Sequence, residues 1–278
     1  PGRWLGQPQL HMSFLADRFD KAGFLEDAVL YLREGVRRHP QVASVHTNLG
    51  LGLVNQGKPQ EGVKHFGNAV RLDPNDPRSH LSLGMALQVL GKLDDAIRHY
   101  RRALELKPDY VRALNNLGHA LLELGRVNDA MRRFHQALDI DPNFVNAHYN
   151  LADALTINGQ LEEAVRHFKQ AIAIKPQFVP ARFKLGQVWL ELGKPDKAIS
   201  NFRQVVKADP DHLQGHYHLA IILTHSGQLD NAYHHYQEAV RIQPDWPQAL
   251  NGLAWLQATH PSATIRAPAQ AIRRAQRA

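Results

Sequence analysis

Prolines fall at positions 40, 74, 108, 142, 176, 210 and 244, a constant step of 34 residues. A chain punctuated at that interval is a series of equal units, each a small element that can bury its apolar face only against its neighbours. With the proline placed at position 32 of each unit, repeats begin at 9, 43, 77, 111, 145, 179 and 213, and a partial eighth begins at 247. The chain therefore divides into a non-repeat segment (1–8), seven 34-residue repeats (9–246) and an atypical terminal unit (247–278).

Other positions recur in step. Position 7 is Leu in all eight units, from Leu15 through Leu117 to Leu253, and position 8 is always Gly or Ala, as close helix approach requires. Position 15 is Gly in all seven complete units, where a left-handed residue would end a first helix. Position 20 is small and position 24 is large, reading Leu32, Phe66, Tyr100, Phe134, Phe168, Phe202 and Tyr236. Asp109, Asn143, Asp211 and Asp245, each just after a proline, are expected to cap the following first helix.

This pattern resembles the tetratricopeptide repeat family across residues 9–246. The resemblance implies an all-α fold, a right-handed α-solenoid of stacked helix–turn–helix units whose concave wall is lined by the first helices. The eighth unit starts in register with Leu253 and Ala254, but its second helix is delayed, with Ala271, Ala275 and Ala278 five residues beyond their expected places. That ending is similar to the terminal unit of tetratricopeptide proteins of environmental bacteria, and Arg273, Arg274 and Arg277 would give it a polar outer face.

Composition excludes several kinds of chemistry. There is no cysteine, which removes disulfides, thiolate catalysis and Cys-based metal sites. No apolar run approaches the length of a membrane-spanning helix. The expectation is a soluble chain, exported or at the cell surface rather than cytoplasmic, and Pro1 marks it as a processed form or part of something longer. The net charge of +7 is spread among acids as a solvated surface, so a nucleic-acid partner is set aside. No phosphate-binding loop, nucleophile elbow or metalloprotease helix is present, so no enzyme, metal or cofactor is expected.

Histidine is the over-supplied reactive type, with 17 residues. His46, His80, His148 and His216 share position 4, while His65, His99, His167 and His235 share position 23, a recurrence that points to packing and to coupled, pH-responsive rings. In repeat seven, His212 and His216 stand at the i, i+4 spacing that suits a metal, without a further ligand fixed by spacing.

Recognition of a protein or peptide remains. The family's concave positions, carried over residue by residue, give Asn48, Arg112, Asn115, Asn116, His119, Asn146, Tyr149, Asn150, Asp153, Phe183, Lys184, Gln187, Tyr217, His218 and His225. Amides can bond an extended peptide backbone while rings supply contact area at low entropic cost. The family's carboxylate clamp is absent, because position 5 is never Lys in repeats two to eight. An asparagine ladder at position 6, similar to that in the arm of O-linked N-acetylglucosamine transferases, is partly present in Asn48, Asn116 and Asn150, and is interrupted by Ser82, Lys184 and His218. The resulting expectation is an interaction scaffold gripping an extended segment around repeats four to seven. Two rivals stand beside it: end-to-end assembly into a homo-oligomer or filament through Trp4 and Leu5, and an adaptor arm of a larger enzyme such as a glycosyltransferase.

Overall fold

The structure, a computed structural model, describes residues 25–262 and 265–266. Trp4, Leu5, the first helix of repeat one and the delayed alanines of the last unit lie outside the described residues. Two compact units divide between Asn150 and Leu151.

The first unit contains α1 (Leu25–Arg38), α2 (Ala43–Asn55), α3 (Pro59–Leu72), α4 (Pro77–Val89), α5 (Leu93–Leu106), α6 (Val111–Glu123) and α7 (Val127–Ile140), and ends within α8 (Val145–Ile157). The second continues with α9 (Leu161–Ile174), α10 (Val179–Glu191), α11 (Pro195–Ala208), α12 (Leu213–His225), α13 (Leu229–Ile242) and α14 (Pro247–Thr259). No strand occurs among the described residues. In the first unit α2 pairs with α3, α4 with α5 and α6 with α7, and each pair packs on the next. In the second unit α10 pairs with α11 and α12 with α13 in the same way. This is the all-α solenoid arrangement of helical hairpins.

The 34-residue lattice explains the packing. Leu49, Leu83, Leu117, Leu151, Leu185, Leu219 and Leu253 at position 7 are all buried. The large residue at position 24 lies flat against the small one at position 8: a Cβ added to Gly118 would stand 2.5 Å from Phe134 Cε1, and one added to Gly50 would stand 2.6 Å from Phe66. The second helices are amphipathic, with acids in the first turn such as Asp94, Asp129 and Glu162 opposing the positive end of the helix dipole.

The turn glycines behave as expected. Gly57, Gly91, Gly125, Gly159, Gly193 and Gly227 have φ between 66° and 75°, the left-handed conformation that lets each hairpin reverse. A Cβ on Gly125 would meet nothing within 4 Å, so the cost of Gly125→Ala is backbone strain alone. That substitution is expected to lower stability by about 1–2 kcal/mol, read from its urea midpoint.

The capping expectation needs correction. First helices start later than it assumed, with Tyr110, Phe178, His212 and Trp246 as N-caps. Asp76 accepts from the Arg78 and Ser79 N–H groups, and His212 Nδ1 accepts from the Gly215 N–H. The acid before the proline instead forms a local turn: Asp73, Asp141 and Asp209 accept from the N–H two residues on, at 3.2, 3.0 and 3.3 Å. Such a short side chain reaches its own turn more readily than a helix two residues further along.

Candidate functional site

In the first unit, α2 and α4 present their positions 2, 6 and 9, and α6 its position 2, to one shared space. A cavity of about 210 Å³ lies there, lined by Asn48 and Ser82 at position 6, Leu51 and Met85 at position 9, and Arg78 and Arg112 at position 2. The floor is thus apolar, with amide and hydroxyl groups along it and two guanidinium groups at the rim. Both arginines are exposed, and Arg78 reaches the Asp76 carboxylate at 3.4 Å. Asn48 and Arg112 were expected on this wall. Arg78, Ser82, Leu51 and Met85 were not singled out, although the same positional rule applied from the second repeat onward names all four.

Asn115, Asn116 and Asn150 form a chain of amides. Asn150 Nδ2 donates to Asn115 Oδ1 at 2.9 Å, and Asn115 Nδ2 donates to Asn116 Oδ1 at 3.3 Å. Asn115 is only 5% exposed while its two neighbours are half-buried, so Asn115 positions the pair rather than facing outward. Asn146 is exposed and Tyr149 half-buried on the same helix. His119 is exposed, with Nδ1 2.8 Å from Glu123 Oε1 and 2.8 Å from Gln88 Nε2. Gln88 also donates to Glu123 at 2.6 Å and accepts from the Tyr100 hydroxyl at 2.8 Å. Burial, reinforced by the Glu123 charge, pushes the Tyr100 hydroxyl far above its usual pKa, so it remains a fixed donor.

In the second unit the wall is ionic and aromatic. Lys184 Nζ lies 2.7 Å from Asp153 Oδ1 with both side chains half-buried, and Gln187 is half-buried nearby in sequence on α10. The Phe183 ring packs on His212 and His218 at 5.0 and 5.5 Å, and His218 stacks on Phe202 at 5.1 Å and 7°. Tyr217 contacts Trp246 at 4.5 Å. Burial, with the His212 charge beside it, lowers the His218 pKa and favours the neutral ring. His225 is exposed at the end of α12. Tyr110, His212 and Trp246 were missed as wall residues. Their signal was available, since position 34, the residue before each first helix, is aromatic from Tyr110 through Phe144, Phe178 and His212 to Trp246.

The recurrent histidines meet head to head. His46 and His65, His80 and His99, and His216 and His235 bring Nδ1 atoms to 3.2, 3.0 and 3.0 Å. Ring centroids at 5.5, 5.3 and 5.2 Å exceed those distances by about two ring radii, so each N···N contact lies nearly in line with both rings. The position-4 ring points its Nε2 at a proline carbonyl: Pro40 at 3.0 Å, Pro74 at 3.1 Å and Pro210 at 3.1 Å. A carbonyl only accepts, so that Nε2 carries the proton. Nδ1 of the same neutral ring is then the acceptor, and Nδ1–H of the position-23 partner donates to it. Each pair thereby ties a first helix to its second helix and to the loop before it. His148 makes the same contact to Pro142 at 2.9 Å. Among the described residues no three His, Asp or Glu side chains gather as a metal would require. No described helix is long and apolar enough to cross a membrane.

Family models describing the TPR repeat match residues 89–125, and those describing the tetratricopeptide repeat match 15–77, 115–177, 155–200 and 190–256. No curated protein sequence gives a significant match. Among solved structures, the Cut9–Hcn1 hetero-tetramer of APC/C is similar with a TM-score of 0.72 at 19% identity, over 90% of this chain and 48% of that one, so this chain spans about half its length. PilW, a type IV pilus biogenesis factor, has a TM-score of 0.69 at 23% identity over 74% of this chain and 96% of that one. YrrB, described as a TPR protein with an unusual peptide-binding site, has a TM-score of 0.55 at 24% identity over 68% and 97%. At these identities the likeness concerns the fold.

Proposed function

The chain belongs to the tetratricopeptide repeat family, a family of protein-interaction scaffolds, and from that premise we propose that it holds an extended segment of a partner protein along the face built by its first helices. The observation that carries this reading is the cavity over α2, α4 and α6, where positions 2, 6 and 9 of successive repeats converge. Spacing of this kind suits an extended chain: Asn48 and Ser82 can bond its backbone while Leu51 and Met85 receive an apolar side chain. In the second unit, Phe183, Tyr217, His218 and Trp246 supply half-buried aromatic area, the material from which binding hot spots are made.

The amide chain of Asn115, Asn116 and Asn150 is held together through the buried Asn115. Removing Asn150 would leave a buried Asn115 oxygen without its donor and cost about 1–3 kcal/mol of stability, so it is a poor probe of binding. Asn48 and Arg112 are better probes because neither anchors a buried partner. Peptides selected from a random display library on the full chain should lose about tenfold in affinity to Asn48→Ala with Arg112→Ala, while helicity is unchanged. Selected peptides that bind this variant as tightly as the native chain would overturn the assignment of this face.

A further inference from the structure

The sixth repeat departs from the lattice at three places that meet in space. Position 11 is Leu53, Leu87, Leu121, Leu155 and Leu223 in repeats two to five and seven, but Trp189 in the sixth. Position 19 is acidic in repeats one to five, as Asp27, Glu61, Asp95, Asp129 and Glu163, but Lys197 in the sixth. Position 22 is Arg98, Arg132 and Arg166 in repeats three to five, where each arginine pairs with the acid three residues before it, but Ser200 in the sixth. The repeat thus loses an ion pair and gains a lysine and an indole together.

The Trp189 ring gathers three ammonium groups. Lys197 Nζ lies 4.5 Å from the ring centroid, Lys194 Nζ 5.3 Å and Lys169 Nζ 5.5 Å. They come from α9, the turn before α11 and α11 itself, and stand within roughly a Debye length of one another, about 10 Å at 0.1 M salt. Among the described residues none of the three is within ion-pair distance of a carboxylate. Asp196 beside Lys197 and Glu191 at the end of α10 are exposed, and Glu163 lies 3.9 Å from Arg166. Packing does not ask for this arrangement, since Leu fills position 11 elsewhere. Three like charges repel, and a lysine in the first turn of α11 opposes its dipole. Cation–π attraction to the indole offsets part of that cost and holds the ammonium groups together. A local rule broken at three coincident positions marks a functional site better than it marks a fold requirement.

We propose that the Trp189–lysine cluster is a second docking surface, separate from the first-helix face, that takes an acidic segment of a partner protein rich in Asp or Glu. Charge complementarity argues for an anionic occupant. The trio is lysine without arginine, so it offers tolerant point charges rather than the planar forks that favour phosphate. Trp189 is 7% exposed and has no free face for stacking a nucleic-acid base. A flexible carboxylate-bearing segment meets both conditions.

The test uses the full chain and a labelled poly-glutamate peptide followed by fluorescence anisotropy. Trp189→Leu with Lys197→Asp restores residues that other repeats carry at these positions, so it should keep the native helicity. It is expected to bind the peptide at least about tenfold more weakly at low salt, and the native chain's affinity should fall as salt rises. Lys64→Asp, an equal change of charge at an exposed site on α3, should leave the affinity unchanged. Unchanged binding by the first variant, an equal loss with Lys64→Asp, or tighter binding of inorganic polyphosphate or a single-stranded oligonucleotide of equal charge would each overturn the proposal.

Discussion

Phe134→Ala is expected to lower the stability of the first unit by about 3–5 kcal/mol, the largest effect of any single substitution considered for this chain. Its ring is fully buried and lies over Gly118, where the backbone of α6 approaches so closely that a Cβ has no room. Truncation leaves a cavity between α6 and α7 that neither helix can close, because α6 is also packed on α5, and Ala137 of α7 shares a core cluster with Ala147 of α8. Repeat arrays share stability between nearest neighbours, so the loss should appear first as faster hydrogen exchange of α6 and α7 amides and then in α5. The converse change, Gly118→Ala, should cost about 1–3 kcal/mol by overpacking. Combining Gly118→Ala with Phe134→Leu should cost less than the sum of the separate changes, since the smaller side chain makes room for the new methyl group. Full additivity, or unchanged exchange in Phe134→Ala, would show that this contact does not hold the hairpin.

That contact was legible in the sequence because it is periodic. A small residue at position 8 and a large one at position 24 recur in register, and a period can be read without coordinates. The turn glycines were legible for the same reason. The helix starts were less so: Asp109 and Asp211 have capping chemistry, but whether a side chain reaches a helix depends on two residues of backbone that composition does not specify. On the proposed binding face, Asn48 and Arg112 line one cavity, whereas the positional rule grouped Asn115 with them as an equal. Asn115 is turned inward between Asn116 and Asn150, a consequence of helix rotation that residue type cannot reveal. The aromatic series at position 34 and the lattice departures at Trp189, Lys197 and Ser200 were present in the letters. They acquire meaning only when it is known that these positions adjoin one another in space.

Acidification from pH 7 to pH 4 is expected to lower the thermal midpoint by about 5 °C or more, at roughly 2–4 °C for each kcal/mol lost. The His pairs supply the mechanism. One proton lies between the two Nδ1 atoms of each pair; a further proton on Nε2 of the outer ring leaves that bond intact, but adding one to Nδ1 of the inner ring as well sets two N–H groups against each other at about 3 Å. Burial is the main cause that lowers the pKa of His65, His99, His216 and His235, with His235 brought down to about 4. Neighbouring charges act both ways. Arg33 opposes and Glu61 favours a charged His65; Arg98 opposes and Asp95 favours His99; His234 and Arg203 oppose and Glu238 favours His235. In the unfolded chain these four rings take up protons near pH 6.5, while in the folded chain they refuse them until lower pH. Stability is therefore complete above about pH 6.5 and falls as pH drops toward about 4, where His235 also titrates. Replacing the outer rings, His65→Gln with His99→Gln and His235→Gln, keeps an amide donor for each inner Nδ1 and removes the group that titrates outside. The triple variant should lose markedly less of its midpoint on acidification than the native chain, and an equal loss in both would assign the acid sensitivity to other groups.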